Sequence, residues 1–220
     1  MCDDNANSIL HSADRSPKAE VVAKWFGLTT AAAGPSPAIP DDALRRLFPG
    51  AGEILLITGP SGSGKSLLLR AMVGTIPLWN QIHLNRLRCP KRAVVDCFGR
   101  RPLKSVLEIL SRVGLAEAGT YLRRPGELSE GQRWRLRLAM GLMRAGRRPG
   151  SVVICDEFCS PLDRVTAAVV SRAMRRTITQ FAGSAIVATS ADDLAGALQP
   201  DRRVTCDFES IRIDRPLAAA

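Results

Sequence analysis

The sequence predicts an α/β fold built on a mainly parallel sheet that is flanked by helices. Short, continuous apolar runs, typical of strands buried on both faces, alternate along the chain with longer segments of helical periodicity. A length of 220 residues with 45% hydrophobic residues is enough for one sizeable core. We therefore expect one main domain over residues 20–220, preceded by a mobile tail over residues 1–19.

Six segments have the composition of strands, and five have the periodicity of helices. The predicted strands are VVAKWFGL (21–28), EILLIT (53–58), RAVVDCF (92–98), SVVICDEF (151–158), SAIVATS (184–190) and RRVTCDFESIRI (202–213, one or two strands). The predicted helices are DALRRLF (42–48), SLLLRAMVGTI (66–76), PLKSVLEILSRVGL (102–115), QRWRLRLAMGLMRAG (132–146) and LDRVTAAVVSRAMRRTITQF (162–181).

The composition argues against several classes of protein. No apolar run approaches the roughly 20 residues that span a bilayer, and the first residues are polar and acidic, unlike a signal peptide. The six cysteines form no CxxC pair, and the two histidines, His11 and His83, leave little material for a zinc site. We therefore expect a cytoplasmic protein with reduced thiols.

The net charge is +10, and its excess is mostly arginine between Arg86 and Arg148. A basic face of this kind attracts phosphate polymers or acidic partners. A solvated surface that is rich in arginine is the alternative, because no aromatic-interleaved stripe or known nucleic-acid motif accompanies the charge. Nucleic acid is therefore only a subordinate partner in the prediction.

A glycine-rich loop lies between the predicted strand 53–58 and the helix that follows it. Its sequence matches G-x-x-x-x-G-K-[ST], in which backbone N–H groups and the helix N-terminus surround phosphate oxygens. Lys65 is expected to reach the β- and γ-phosphates of ATP, and the Ser66 hydroxyl is expected to bind Mg²⁺. The predicted phosphate-binding residues are Gly59, Pro60, Ser61, Gly62, Ser63, Gly64, Lys65, Ser66 and Leu67.

Two carboxylates end the predicted strand 151–158. Asp156 is suited to Mg²⁺, directly or through water, and Glu157 is suited to polarise an attacking water molecule. Alternatively, two acidic residues at the end of a strand could simply be the start of a solvent-exposed loop without a catalytic role. After a phosphate-binding loop, however, such a pair indicates the catalytic partner of that loop, so Glu157 and Lys65 are the predicted catalytic residues.

The pentapeptide Leu128–Gln132, LSEGQ, resembles the LSGGQ signature of ATP-binding cassette (ABC) ATPases, and SPLD (160–163) resembles the D-loop of that family. Four motifs stand in the family order, and the resemblance covers residues 20 to about 215. It implies a P-loop NTPase fold of the ABC type with a small helical subdomain, which would be shortened here, at about residues 100–150. Ser129 could instead simply cap the following helix.

The resemblance also implies a mechanism. Family members form head-to-tail dimers that sandwich ATP between the P-loop of one subunit and the signature of the other. Ser129, Gly131, Gln132 and Asp163 would then contact ATP across the interface. A helix start with serine and glycine is by itself an anion site. Glu130, in place of a glycine, would add negative charge near the nucleotide.

Three features depart from the family pattern. The family glutamine that contacts Mg²⁺ is missing: Gln81 stands too early, and Asp96 at the end of the predicted strand 92–98 would take its place as a metal ligand. The family histidine after the predicted strand 184–190 is replaced by Ser190 or Ala191. The interval from Lys65 to Ser129 is short for a transporter ATPase, and the run DEFCSPLDRVTA resembles a soluble group, some of whose members are fused to acetyltransferase domains.

The prediction is a slow ATPase that uses ATP and Mg²⁺, with a homodimer or a dimer with a homologous ATPase driving or switching a soluble partner. The alternatives are the energising subunit of a membrane transporter, with a permease as the less favoured partner, and a dimerisation switch that binds ATP without hydrolysis. Trp25 and Phe26 are candidates for stacking on adenine, although such a pair is more often core.

Overall fold

The computed structural model describes residues 17–25, 41–207 and 210–214. The chain divides into two compact units between Leu44 and Arg45. The first unit contains helix α1, whose Trp25 side chain is exposed. The second unit contains the sheet and all of the predicted site residues.

Eight α-helices occur in the described residues, and the longest of them follow the predicted periodic segments. They are α1 (Pro17–Trp25), α2 (Asp41–Leu47), α3 (Lys65–Gly74), α4 (Leu103–Arg112), α5 (Ala118–Leu122), α6 (Glu130–Ala145), α7 (Arg164–Phe181) and α8 (Ala195–Leu198). Short 3₁₀ helices cover Leu78–Asn80, Leu84–Arg86, Val94–Phe98, Pro125–Glu127 and Asp192–Leu194. None of the described helices is long and apolar enough to cross a membrane.

Among the described residues, six strands form one sheet in the order β2-β3-β4-β1-β5-β6. All neighbouring pairs are parallel except β5 and β6, which are antiparallel. The strands are β1 (Ile54–Thr58), β2 (Gln81–His83), β3 (Val152–Cys155), β4 (Ser184–Ala188), β5 (Arg202–Cys206) and β6 (Ile211–Asp214). The carboxyl ends of five parallel strands therefore meet at one edge, where α/β sheets bind ligands.

The three central strands are fully buried, as their continuous apolar runs predict. Helices α6 and α7 contact each other. Trp134 of α6 meets Phe158 edge to face, with ring centroids 5.6 Å apart. The mainly parallel sheet with flanking helices confirms the predicted fold class. The predicted strands 53–58, 151–158, 184–190 and 202–213 are present.

Two predicted strands are wrong. Residues 21–25 of the first belong to α1, which starts with Pro17 and carries Glu20 in its first turn and Lys24 in its last, as a helix favours; residues 26–28 lie outside the described part. The second, 92–98, contains a 3₁₀ helix. Its apolar side chains Val94, Cys97 and Phe98 are buried, so they serve the core without joining the sheet.

Candidate functional site

The loop from Gly59 to Gly64 joins β1 to α3 and opens at the carboxyl edge of the sheet. Gly62 and Gly64 have φ values of 83° and 90°, and Gly64 caps the start of α3 in the left-handed conformation. Ser66 lies in the first turn of α3, and Leu67 beside it is partly exposed. The first N–H groups of α3 therefore border the loop, as a phosphate site needs.

Gly59 makes the closest backbone approach in this loop. A Cβ atom there would lie 2.0 Å from the carbonyl oxygen of Cys206, at the end of β5, and φ at this position is 141°. Only glycine fits such a contact. Nearby, the buried Ser63 Oγ has no hydrogen-bond partner among the described residues. An unpartnered buried hydroxyl inside a glycine cradle fits a polar ligand such as a phosphate.

The Lys65 side chain folds back over the loop. Its Nζ atom donates hydrogen bonds to the carbonyl oxygens of Gly59 at 2.8 Å and Pro60 at 2.6 Å. Both acceptors are neutral carbonyls, so phosphate oxygens can replace them with stronger, charge-assisted hydrogen bonds. Lys65 thus lies where the motif predicts it, at the mouth of the loop.

Asp156 and Glu157 follow β3 directly, at the same edge of the sheet. The Asn85 side chain, which lies just beyond β2, bonds both backbone groups of Asp156: its Nδ2 donates to the carbonyl oxygen at 3.0 Å, and its Oδ1 accepts from the N–H at 3.1 Å. Asp156 Oδ1 in turn accepts from the Glu157 N–H at 3.1 Å. Asn85 therefore fixes the position of the Asp156 backbone, from which the acidic pair projects.

Glu157 has an unusual backbone conformation. Its φ is 55°, and that of Cys159 is 62°, in a region that side-chain-bearing residues rarely adopt. The Phe158 N–H holds this turn to β4 by donating to the Ala188 carbonyl oxygen at 2.7 Å. Strained backbone that is held by its surroundings is frequent at catalytic sites, and here it presents an exposed Glu157.

The segment after β4 is organised by Thr189. Its buried hydroxyl donates to the Phe158 carbonyl oxygen at 3.2 Å and accepts from the Ala191 N–H at 3.1 Å. Ser190 and Ala191 line a cavity of about 680 Å³ together with Glu157. The residues expected to replace a histidine therefore line the same cavity as Glu157, but neither side chain can exchange a proton near neutral pH.

The predicted signature segment starts α6. Ser129 Oγ accepts from the Gln132 N–H at 3.2 Å, and Gln132 Oε1 accepts from the Ser129 N–H at 3.1 Å, so the two residues form a capping box. The capping interpretation of Ser129 is thus correct. Gly131 approaches the D-loop segment closely, because a Cβ atom there would lie 3.2 Å from the Pro161 carbonyl oxygen.

Asp163, the last residue of the D-loop segment, caps α7. Its Oδ1 accepts from the Thr166 N–H at 2.9 Å. Hydrogen bonds from the Thr166 side chain and backbone lower the pKa of Asp163. Asp163 stays exposed while it caps the helix.

Asp96 does not stand at the end of a strand, so that prediction is wrong. Asp96 is an exposed residue of the 3₁₀ helix Val94–Phe98, which contacts α4, α5 and α6. The strand beside β3 is β2 instead, and Gln81 at its start is used structurally: its Nε2 donates to the carbonyl oxygens of Val73 and Ile76 at the end of α3. The residue that follows β2 and contacts the acidic pair is Asn85.

The oxygen ligands available near the phosphate-binding loop suit Mg²⁺, and they do not suit a metal that is held by protein side chains alone. Within the described ranges, no three His, Cys, Asp or Glu side chains form a metal cluster. Mg²⁺ keeps several waters and takes one or two protein oxygens together with phosphates. The Ser66 hydroxyl and the Asp156 carboxylate fit that requirement.

Sequence reasoning missed Asn85 and the role of Thr189. β2 is only three residues long, so it has too few positions to show a periodicity. Its pairing with β3 is a long-range contact that no local pattern reports.

Comparisons with known proteins agree with this geometry. No family model matches the chain. Among curated proteins, it is 29% identical to the phosphonates import ATP-binding protein PhnC of Hyphomonas neptunium, over 57% of this chain and 62% of PhnC. It is 31% identical to the zinc import ATP-binding protein ZnuC of Ruegeria pomeroyi, over 71% of this chain and 64% of ZnuC. The chain thus spans less than two thirds of these two relatives.

A third relative is covered more fully. The chain is 30% identical to the lipoprotein-releasing system ATP-binding protein LolD of Acinetobacter baylyi, over 66% of this chain and 78% of LolD. Among solved structures, the ATP-binding cassette MJ0796, a dimer bound to ADP and Pi, aligns with a TM-score of 0.61 and 19% identity, over 79% of this chain and 89% of MJ0796. At that identity the alignment supports the fold alone. Together with this fold, the similarity to LolD shows that the chain belongs to the ATP-binding cassette ATPase family, whose members bind ATP with Mg²⁺ and hydrolyse it.

Proposed function

We propose that this protein binds ATP with Mg²⁺ and hydrolyses it slowly in a head-to-tail dimer. The observation that carries the proposal is the convergence of three segments at one edge of the sheet. The glycine loop follows β1, the acidic pair follows β3, and the Thr189–Ala191 segment follows β4. Phosphate-binding groups and a candidate base thus project from adjacent strands.

Each residue in this arrangement has a proposed role. Lys65 leaves the Gly59 and Pro60 carbonyls to bind the β- and γ-phosphates, while the N–H groups of residues 59–67 surround the remaining phosphate oxygens. Ser66 and Asp156 hold Mg²⁺, which supplies charge neutralisation on the phosphates. Glu157 orients the attacking water and accepts its proton.

The second half of the site is proposed to come from another subunit. Ser129, Gly131 and Gln132 lie at the exposed start of α6, where the helix dipole favours an anion. Gly131 also lies close to the D-loop segment of its own chain, which ends at Asp163. The dimeric MJ0796 cassette with ADP and Pi supports this arrangement, with a second copy of the chain or a homologous ATPase as the partner.

Two kinds of partner are proposed for the ATP cycle. The names of PhnC, ZnuC and LolD favour a transport system, in which the chain would energise a membrane permease. The short interval between Lys65 and Ser129 favours a soluble partner, because residues 100–150, with α4, α5 and α6, then form only a shortened helical subdomain. Co-purification from solubilised membranes separates the two: a permease would be retained with the wild type and lost with surface substitutions between Asp96 and Arg124.

The test of hydrolysis is steady-state phosphate release by Glu157→Gln. The substitution keeps the size of the side chain and removes the proton acceptor, so release should fall by about 10² or more. ATP should then hold the variant as a dimer in size-exclusion chromatography.

The matched control is Glu108→Gln on α4, an exposed glutamate outside the site. It should leave phosphate release unchanged. Unchanged release by Glu157→Gln would show that another group activates the water, and ATP-stable dimers of the wild type without any release would favour a non-hydrolysing switch.

A further inference from the structure

Two adjoining cavities beside α6 are lined by arginine side chains. The first, of about 700 Å³, is lined by Arg86, Arg101, Arg144, Arg147 and Arg148. The second, of about 770 Å³, is lined by Arg88, Arg133 and Arg137 and shares Arg86 and Leu87 with the first. We call the two cavities together the arginine groove. Neither lining includes an acidic residue among the described parts of the chain.

The positive charge of the first cavity is not neutralised by the protein. Within the described residues, its five arginine side chains form no ion pair and no hydrogen bond. Burial and the neighbouring charge of Arg147 lower the pKa of Arg101, and burial and Arg86 lower the pKa of His83 on the same wall. Like charges that face one another across a concavity focus a field that attracts anions.

In the second cavity, the guanidinium groups of Arg133 and Arg137 differ in their hydrogen bonding. Arg133 is fixed in place, because its Nε donates to the Pro125 carbonyl oxygen at 3.2 Å and its Nη2 to the Leu128 carbonyl oxygen at 3.0 Å. The Arg137 guanidinium interacts with the Cys89 thiol, which lines the same cavity, but its buried Nε has no hydrogen-bond partner among the described residues. A buried N–H group without an acceptor is rare in folded proteins and needs an explanation, and a bound anion supplies one.

The length of the groove distinguishes a polymer from a single phosphate. Arg133, Arg137 and Arg144 lie at positions i, i+4 and i+11 of α6, on one face of the helix, and at 1.5 Å per residue they span about 16 Å. Leu87 stands between the two cavities, close to Gly141 on the same face of α6. Charges distributed over such a distance match several consecutive phosphates.

We propose that the arginine groove binds the phosphodiester backbone of a nucleic acid. The linings include no Phe, Tyr or Trp side chain among the described residues, so the main contacts are to phosphates and carry no preference for particular bases. The proposal is independent of ATP hydrolysis, because none of the groove arginines belongs to the phosphate-binding loop or the acidic pair.

The test is fluorescence anisotropy with labelled oligonucleotides of about 20 nucleotides, as single-stranded RNA, single-stranded DNA and duplex DNA. About five phosphate contacts predict an affinity that falls roughly 10²- to 10³-fold between about 50 and about 200 mM salt. The three probes identify which nucleic acid binds best, and salt-independent binding would overturn the proposal.

The decisive variant is Arg144→Gln/Arg148→Gln, and its matched control is Arg172→Gln/Arg176→Gln, a pair with the same spacing that is exposed on α7. The groove variant should bind at least about tenfold more weakly, and the slope of log affinity against log salt should fall by about two. The control should bind as the wild type does. Circular dichroism and binding of a fluorescent ATP analogue, unchanged in both variants, would show that the fold is intact.

Competing anions provide the remaining outcomes. Polyglutamate that displaces the oligonucleotide at equal charge concentration would assign the groove to an acidic protein surface and overturn the proposal. Vesicles of phosphatidylglycerol that bind through Arg144 and Arg148, with no binding of any oligonucleotide, would overturn it in favour of a lipid surface. If the groove variant and the α7 control lost binding equally, the net charge of the protein and not the groove would determine binding, and the proposal would be overturned.

Discussion

At the scale of single residues, the site combines strong phosphate-binding features with one missing proton carrier. Gly59 starts a loop whose backbone leaves no space for a larger residue at this position, and Lys65 and Ser66 begin the helix that follows the loop. Glu157 is presented by a strained turn. Ala191, although it lines the same cavity as Glu157, carries only a methyl group. The expected result is tight nucleotide binding with slow turnover.

Ala191→His tests whether the missing imidazole is the cause of the slow turnover. An imidazole at position 191 can hydrogen-bond the γ-phosphate or the attacking water, so phosphate release should rise by about tenfold or more. Ser190→His is the comparison, because Ser190 lines the same cavity but its N–H is not anchored by Thr189 as that of Ala191 is. A gain with Ser190→His alone would move the histidine position to residue 190, and no gain with either would mean that the missing imidazole does not limit the rate.

At the scale of elements, a three-residue strand positions the catalytic turn. β2 pairs with β3 in register from Gln81 with Val152 to His83 with Ile154, and the chain then brings Asn85 against Asp156. The Gln81 side chain ties the start of β2 to the end of α3, the helix that begins in the phosphate-binding loop. The loop and the acidic pair are thus linked through β2.

Asn85→Ala should therefore lower phosphate release by about tenfold, as loss of a supporting hydrogen-bond partner commonly does. The free energy of unfolding should fall by only about 1 kcal/mol, because the two lost hydrogen bonds are solvent-exposed. Urea unfolding and single-turnover hydrolysis measure the two effects separately. Asn80→Ala, on the segment just before β2, is the control, and equal losses in the two variants would mean that Asn85 acts only on stability.

At the scale of the whole molecule, the proposed site is incomplete in one chain. The P-loop and the acidic pair lie at one edge of the sheet, whereas Ser129 and Gly131 start a helix whose cap is already satisfied within the chain. If ATP is sandwiched between two copies, neither copy alone supplies both surfaces. The dimer is then the catalytic unit.

A mixing experiment tests this division. Lys65→Ala removes the P-loop function, and Ser129→Arg blocks the signature surface, so each variant alone should release little phosphate. Mixed in equal amounts, half of the dimers are heterodimers with one intact composite site, so about one quarter of the wild-type activity should return. No recovery, with both variants folded by circular dichroism, would show that each chain works alone.

The phosphate-binding loop, the acidic pair and the helix cap at Ser129 could be predicted from the sequence, because each depends on residues that are neighbours along the chain. The alternation of buried strands and periodic helices likewise predicted the parallel sheet, since burial on both faces leaves a local apolar run. The segments 21–28 and 92–98 were misread because apolar, β-branched residues also pack in helices and 3₁₀ turns when tertiary contacts bury them. Only the tertiary structure decided that Asn85, and not Gln81 or Asp96, supports Asp156, and that arginines distant in sequence line one groove. Both depend on which strands and helices become neighbours, and that is a long-range choice made by the packing of the whole core.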